Sequence, residues 1–238
     1  AAPIEAPAAG SAAARVHEAV ARAVDDIRSS RLGTAGTEAL PWLLVVGEPG
    51  AGKSALLAAS GIELPAKFAH TLGRGPTASC EWWLANEVVA IDTAGRYLSE
   101  GDGDAADEWR TLLRLVRRQR PGIPINGIVL AISASSLLAK SAAERHELAL
   151  ATRRRLNEIE DARHVSAPVY VVVTKCDAIE GFVETAEALG QAQLAEALGW
   201  TNDRRELADA GDAVEQGIAP LVARLETLVP TLVAREPD

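Results

Sequence analysis

Residues 47–54 combine glycines, one lysine and one serine at a spacing that suits the binding of phosphate groups. They read Gly-Glu-Pro-Gly-Ala-Gly-Lys-Ser, follow a run of apolar residues and match the pattern G-x-x-x-x-G-K-[ST]. Glycines let consecutive backbone N–H groups turn toward a polyphosphate, and the helix that follows adds its positive N-terminal end. The stretch is therefore predicted to be a Walker A loop, with phosphate-binding residues Gly47, Gly50, Ala51, Gly52, Lys53 and Ser54.

Four residues have specific predicted roles in nucleotide chemistry, two of them in this loop and two in a later segment. The Lys53 ammonium is predicted to bind the β- and γ-phosphates, and the Ser54 hydroxyl is predicted to be a Mg²⁺ ligand. Asp92 ends a later apolar run and is the second predicted Mg²⁺ ligand, while Gly95 offers a backbone N–H to the γ-phosphate. The predicted catalytic residues are Lys53, Asp92, Gly95 and Arg96.

Arg96 stands directly after the Asp92-Thr93-Ala94-Gly95 motif, where a glutamine would be expected to position the attacking water. Two alternatives are open for Arg96. It stabilises transition-state charge from within the chain, or it pairs with an acidic neighbour. Because the glutamine is missing, unassisted hydrolysis is predicted to be slow and to need a partner that completes the site.

Residues 174–177 read Thr-Lys-Cys-Asp and follow a further apolar run, which fits the base-recognition pattern [NT]-K-x-D. In that pattern the Asp177 carboxylate accepts hydrogen bonds from N1–H and the exocyclic amine of guanine, and the Lys175 stem lies over the ring. Adenine does not offer those donors in that arrangement, so GTP is favoured over ATP. Thr174 replaces the commoner asparagine and cannot make the same amide contacts, so ATP stays an alternative.

Composition narrows the classes of function. The 238 residues include 24 Lys and Arg against 33 Asp and Glu, a formal charge of −9, which argues against nucleic-acid binding and a polybasic membrane contact. Two cysteines are too few for a disulfide framework. The sequence has no methionine and no visible signal peptide, so we expect a fragment of a longer protein. It has no membrane-spanning run either, so if that parent protein is membrane-anchored, its anchors lie outside this piece.

Apolar runs that alternate with helical patterns predict an α/β fold with a mostly parallel sheet. Strands are expected over 41–47, 81–85, 87–93, 125–133 and 168–174, the second and third as a hairpin and the others buried. Ser141 and Glu144 predict a capping box that opens a long helix. The acidic stretch from Ser99 to Glu108 is predicted to be a solvated loop at a helix N-terminus.

The predicted domain organisation has four parts. They are a linker over 1–10, a helical extension over 11–37, a main domain over 38–201 and a second helical extension over 202–238. Within the first extension, Val16, Val20, Val24 and Ile27 share one helix face, which predicts packing on the main domain, with a partner-binding helix as the alternative. Trp82 and Trp83 should face opposite sides of the sheet, in packing or in contact with a partner.

Several motifs occur together around these sites. They are Leu40-Pro41-Trp42 before the phosphate loop, Ser60-Gly61-Ile62-Glu63-Leu64-Pro65 after it, Cys80-Glu81-Trp82-Trp83, Asp92-Thr93-Ala94-Gly95-Arg96-Tyr97, Pro124-Ile125-Asn126-Gly127 and the Thr-Lys-Cys-Asp of 174–177. In this combination, residues 38–201 resemble the cytoplasmic nucleotide-binding domain of the IcmF/TssM family, the large inner-membrane component of type VI secretion systems.

The resemblance implies a three-layer P-loop NTPase with a Ras-like GTPase-type sheet, in a cytoplasmic segment of a membrane-anchored parent protein. It implies Mg²⁺ as cofactor, GTP or ATP as ligand, and other membrane-complex and baseplate proteins of the secretion system as partners. It also marks Thr77 as the first-switch threonine and a third Mg²⁺ ligand.

The sequence therefore leaves two candidate functions. One is a nucleotide hydrolase whose loops over 61–80 and 95–108 order around the γ-phosphate and signal to the secretion complex. The other is a non-catalytic nucleotide-binding or scaffold module. A small-molecule kinase is a distant third, because the base motif and the Asp-Thr-Ala-Gly run would have no role in it.

Overall fold

The computed structural model describes residues 11–30, 36–62, 77–99, 103–163, 167–189, 198–202, 214–223 and 226. The chain divides into two compact units, Ala1–Cys176 and Asp177–Asp238. The predicted linker over 1–10 lies outside the described residues, as do most of the predicted loop over 61–80 and of the C-terminal extension. The four-part domain organisation stays a prediction.

A five-stranded sheet forms the centre of the first unit. Its strands are β1 (Trp42–Val46), β2 (Cys80–Leu84), β3 (Val89–Thr93), β4 (Gly127–Ser133) and β5 (Val169–Thr174). They lie in the order β2-β3-β1-β4-β5, with β2 antiparallel to β3 and every other pair parallel. The predicted α/β class, mostly parallel sheet and β2–β3 hairpin are confirmed.

Helices connect and flank these strands. In the first unit they are α1 (Ala12–Arg28), α2 (Gly36–Ala39), α3 (Lys53–Ala59), α4 (Gly103–Gln119), α5 (Ala134–Ala139) and α6 (Ala142–Arg163), with a 3₁₀ turn at Gly95–Leu98. None of the described helices is long and apolar enough to span a membrane.

Each face of the sheet has its own apolar core, because successive strand side chains point to opposite faces. On one face, Leu44 and Ile91 belong to a large core that includes residues of α1, α4 and α6. On the other face, Val45 packs with Leu57 of α3. Helices therefore cover both faces of the sheet, which places α3 and the loop before it on the side opposite α1 and α4.

The two adjacent tryptophans of β2 point to opposite faces, as their consecutive positions predict. Trp82 meets the ring of Trp42 edge-on, with 5.1 Å between ring centroids, on the face that α1 covers. Trp83 is buried in the core that includes Val45 and Leu57. Both rings therefore contribute to packing within this unit.

Helix α1 packs on the main sheet through the predicted face. Val16, Val20, Val24 and Ile27 are all buried in the larger core, and α1 lies against α4 and β2. The Ser11 hydroxyl accepts a hydrogen bond from the Ala14 N–H and so caps the start of the helix. This confirms packing on the domain as the role of the apolar face.

Strand β5 is one of the two edge strands of the sheet, and the prediction that it is buried is wrong. Tyr170 and Val171 point to opposite faces and are 55% and 59% exposed. The helix that precedes β5 does not cover it closely, because α6 packs mainly on α4 and on the 3₁₀ turn Gly95–Leu98. An apolar run predicts a strand, but its burial depends on which helices reach it.

The predicted capping box opens α6. The Ser141 hydroxyl accepts the Glu144 N–H at 3.3 Å, and the Glu144 carboxylate accepts the Ser141 N–H at 2.8 Å. Hydrogen bonds from the Ser141 hydroxyl and N–H lower the pKa of Glu144. Two helix-end donors are thereby satisfied reciprocally.

Replacing Ser141 with alanine is expected to destabilise the chain by ~1 kcal/mol, because the Glu144 N–H loses its acceptor. The effect should appear as a fall of about 2–4 °C in the thermal unfolding midpoint. Ser141→Thr keeps the hydroxyl and serves as the matched control. Equal midpoints for the alanine variant and the wild type would contradict the role of the cap.

The second unit contains α7 (Phe182–Ala188) and a helical segment over 214–223. The Trp200 ring lies against that segment at Gly217, where an added Cβ would come within 2.1 Å of Trp200 Cε2. This close approach explains the glycine, because any side chain would displace the ring.

Candidate functional site

The phosphate-loop motif lies at the point where the strand order reverses. It follows β1, which has β3 and β2 on one side and β4 and β5 on the other. In open α/β sheets, ligands bind outside the carboxyl ends of the strands at such a switch point. Residues 47–54 connect β1 to α3 there, so the motif and the topology indicate the same location.

The backbone of this loop requires glycine at specific positions. Gly50 and Gly52 have φ angles of +74° and +77°, a left-handed conformation that glycine adopts without steric cost. At Gly47 the restriction is space, because an added Cβ would lie 2.5 Å from the Ala131 carbonyl oxygen. The motif glycines are therefore explained by conformation and by close approach to β4.

Lys53 is folded onto the loop that precedes it. Its ammonium donates to the carbonyl oxygens of Gly47 and Glu48 at 3.1 and 3.3 Å, and the residue is only 6% exposed. Burial lowers the pKa of Lys53, while the carboxylates of Asp92 and Glu48 act in the opposite direction. A cation is thus held beneath the loop, at the position from which phosphate would be bound.

Asp92 brings the three predicted metal-binding residues together. It is 0% exposed at the end of β3, and its Oδ2 accepts from the Ser54 hydroxyl at 2.5 Å and from the Thr77 hydroxyl at 3.3 Å. Burial raises the pKa of Asp92, and the two hydroxyls and the Lys53 ammonium oppose that shift. Residues far apart in sequence therefore meet at one carboxylate oxygen.

The second oxygen of Asp92 has a different environment. Oδ1 is buried, and among the described residues no donor reaches it. An unpaired buried carboxylate oxygen costs free energy that a cation would remove. One carboxylate with two hydroxyls is a hard oxygen set of the kind that Mg²⁺ prefers, with phosphate oxygens completing the shell. The residues present therefore fit Mg²⁺.

The Gly95 backbone lies directly against the phosphate loop. An added Cβ would fall 2.4 Å from both Cα and N of Pro49. The two segments predicted to contact the γ-phosphate are therefore adjacent in space.

Arg96 pairs with an acidic neighbour, which is one of the two alternatives stated for it. Its guanidinium donates to the Glu108 carboxylate and, at 2.7 Å, to the Ala78 carbonyl. A catalytic role for Arg96 stays a prediction.

Of the predicted base-binding residues, Thr174 has a visible role at the loop. Its hydroxyl donates to the Ala51 carbonyl at 2.7 Å, which ties the end of β5 to the phosphate loop. Lys175 has φ +54°, and no other non-glycine residue among those described has a positive φ. Such a conformation is uncommon and occurs often at functional sites. Asp177 belongs to the second unit, and base recognition stays a prediction.

Two residues at the site were missed by sequence reasoning. The Lys140 ammonium pairs with Glu48 Oε2 at 2.9 Å, although 92 positions separate the two residues. Glu108 is fully buried, so the prediction of a solvated acidic stretch is wrong at its last residue. Neither the Lys140–Glu48 pair nor the burial of Glu108 leaves a local signal in the sequence, since both depend on elements that meet only in the folded chain.

Comparison with known proteins agrees with the family resemblance. Residues 102–238 match the IcmF-related N-terminal domain family. The chain is also 36% identical over 204 residues to the type VI secretion system component TssM1 of Pseudomonas aeruginosa. That alignment covers 82% of this chain and 18% of the relative, so the chain spans less than a fifth of that protein's length. The chain therefore belongs to the IcmF/TssM family.

Proposed function

We propose that the first unit is a P-loop NTPase domain with a Ras-like GTPase-type sheet, which binds a nucleoside triphosphate with Mg²⁺ and hydrolyses it slowly. The observation that carries the proposal is the meeting of Lys53, Ser54 and Asp92 at the switch point of the sheet. These are the cation, the hydroxyl and the carboxylate that phosphoryl transfer requires.

In this proposal each residue of the site has a distinct task. The Lys53 ammonium leaves the carbonyls of Gly47 and Glu48 to bind the β- and γ-phosphates. Ser54 and Asp92 hold Mg²⁺, and Thr77 joins them from the loop before β2. Held by these residues, Mg²⁺ would neutralise negative charge on the phosphates.

GTP is favoured over ATP in this proposal through residues 174–177. Asp177 recognises the guanine edge, and the Lys175 stem lies along the base. The Thr174 hydroxyl holds the phosphate loop through Ala51, which links the base-binding segment to the phosphate-binding one. Binding of GTP and of ATP is therefore the first comparison to make.

Slow hydrolysis follows from the residue that stands after Gly95. No glutamine is available there to orient water, and the Arg96 guanidinium is engaged by Glu108 and by the Ala78 carbonyl. Arg96 would have to leave these partners to reach transferring phosphate. A partner that rearranges Arg96 or supplies a water-positioning group would therefore accelerate turnover.

We place this activity on the cytoplasmic face of the inner membrane, as the switch domain of a type VI secretion membrane complex. Support comes from the TssM1 relative and from the family match. The partners would be other membrane-complex and baseplate proteins of that system. Nucleotide-dependent ordering of the loop that carries Thr77 would be the signal passed to them.

A non-catalytic nucleotide-binding or scaffold module is the second candidate. One observation favours it, namely that the Arg96 guanidinium is paired with the buried Glu108 carboxylate. A nucleotide-binding module would bind nucleotide without hydrolysing it, and a scaffold module would recruit partners through its fold alone.

Titration calorimetry of the 238-residue chain with GTP, ATP and GDP, each with and without Mg²⁺, tests the proposal. We expect GTP to bind more tightly than ATP, and Mg²⁺ to strengthen triphosphate binding. Equal affinity for GTP and ATP would show that Asp177 does not select guanine. Binding without any turnover in a phosphate-release assay would support the non-catalytic module, and no binding at all would support the scaffold.

A further inference from the structure

Among the described residues, Glu108 on α4 is the most deeply buried acid outside the proposed Mg²⁺ site. It is 0% exposed and accepts hydrogen bonds from Arg15 at 3.1 Å, from Tyr97 at 2.9 Å and from Arg96. A buried carboxylate is unfavourable unless charged and polar donors compensate it. Here the donors come from α1 and from the segment directly after the Asp92 motif.

Arg96 carries this connection further, to the loop before β2. The same guanidinium nitrogen that contacts Glu108 donates to the Ala78 carbonyl at 2.7 Å. Ala78 is the neighbour of Thr77, whose hydroxyl reaches Asp92. A short chain of contacts therefore runs from Glu108 through Arg96 to the residue next to Thr77.

These contacts extend the pairing of β2 with β3 beyond the ends of the two strands. The strands pair as far as Cys80 with Thr93, and the Ala94 N–H then donates to the Ser79 carbonyl at 2.8 Å. The Arg96 contact with the Ala78 carbonyl is the next tie, at the residue that directly follows Thr77 in the sequence. The Arg96 side chain that makes this contact is itself held by Glu108, so the strength of the contact depends on the Glu108 carboxylate.

We propose that Glu108 is a positioning residue of the nucleotide site. It holds Arg96 on the Ala78 carbonyl so that Thr77 stays beside Asp92, and through Arg15 it makes this arrangement depend on helix α1. The inference rests on the proposed function for its effect on ligands, while the contacts themselves can be tested without a nucleotide.

The two hydroxyls at Asp92 should respond differently to loss of Glu108. Ser54 lies 2.5 Å from Asp92 Oδ2 and begins α3, so helix and loop fix it independently. Thr77 lies at 3.3 Å and is tied to the rest of the chain through the Ala78 region. Weakening the Arg96 tie therefore releases Thr77 and leaves Ser54 in place.

The test compares Glu108→Gln with Glu158→Gln as a matched control. Glu158 likewise accepts hydrogen bonds from an arginine and from an aromatic side chain, here Arg155 and the Trp109 N–H, and among the described residues neither of these donors lies in 77–79. We expect Glu108→Gln to weaken Mg²⁺-dependent GTP binding about tenfold, which is ~1.4 kcal/mol. GDP binding in EDTA should stay within about twofold of the wild type, since Thr77 contributes nothing to it. Equal losses in both conditions would indicate a general structural role and overturn the proposal.

Amide exchange without nucleotide provides a second, independent measurement. The Ala94 N–H, which donates to Ser79, should exchange about tenfold faster in Glu108→Gln and in Arg96→Ala, and unchanged in Glu158→Gln. Arg15→Ala should accelerate it by a smaller factor, because that side chain is half-exposed and supplies one of three donors. Unchanged Ala94 exchange in both Glu108→Gln and Arg96→Ala overturns the positioning role.

The two measurements separate failure of this inference from failure of the proposed function. If the wild-type chain binds no nucleotide, the proposed function fails, and the exchange rates alone decide whether Glu108 positions the 77–79 segment. If Glu108→Gln does not fold, Arg96→Ala decides, because the Arg96 side chain is partly exposed and both Arg15 and Tyr97 still donate to Glu108 without it. In Arg96→Ala, a loss confined to Mg²⁺-dependent GTP binding supports the inference.

Discussion

Replacing Lys53 with alanine is expected to weaken GTP binding by at least about 100-fold, equivalent to ~3 kcal/mol. Lys53 is the cation that the fold holds beneath residues 47–52, where it donates to the carbonyls of Gly47 and Glu48. Lys53 is buried, so its attraction for a polyphosphate is little screened by solvent and salt. Calorimetry with saturating Mg²⁺ measures the loss directly.

Lys140→Ala is the matched control for this experiment. It removes the same side chain and the same charge, and it also contacts the loop, but only through the Glu48 carboxylate at 2.9 Å. We expect its GTP affinity to stay within about threefold of the wild type. A Lys53→Ala chain that binds GTP as well as Lys140→Ala would show that phosphate is not bound at residues 47–54.

The location of the candidate site followed from local sequence signals. Four strands of the sheet appear as apolar runs at β1, β3, β4 and β5, and the glycine pattern lies directly after β1. Parallel strands end at the same edge of a sheet, so Ser54 after β1 and Asp92 at the end of β3 had to be close. Pattern and topology together were sufficient for this part of the site.

Burial was harder to predict than secondary structure. The apolar residues of β5 predicted a covered strand, yet Tyr170 and Val171 are more than half exposed. The acidic residues around Glu108 predicted a solvated stretch, yet Glu108 is fully buried because Arg15, Arg96 and Tyr97 surround its carboxylate. In both cases the deciding neighbours come from distant parts of the chain, and local composition does not record them.

Residue roles were also harder to predict than residue positions. Arg96 was correctly placed beside the Asp92 motif, but only the structure shows the buried partner that engages it. A contact of Thr174 with a base stays a prediction, and the structure adds a role that the motif does not indicate, a hydrogen bond from its hydroxyl to the Ala51 carbonyl of the phosphate loop.

Gly95→Ala is expected to disrupt the phosphate loop and the stability of the domain together. An added Cβ would lie 2.4 Å from Cα and N of Pro49 and 2.8 Å from the carbonyl carbon of Glu48. All three are backbone atoms, so no side-chain rotation can relieve the contact. Overpacking of this kind costs about 1–3 kcal/mol, and the midpoint should fall by about 2–4 °C for each kcal/mol.

The same substitution should impair binding more than its stability cost alone explains. Displacing Pro49 shifts the loop that Lys53 contacts through Gly47 and Glu48, so phosphate ligands would be misplaced even in folded molecules. We expect GTP affinity to fall at least tenfold at a temperature where the variant is fully folded. Gly122→Ala, where an added Cβ meets nothing within 4 Å, is the control and should change neither quantity. A Gly95→Ala chain with wild-type affinity and midpoint would mean that the contact between these two segments does not hold the loop in place.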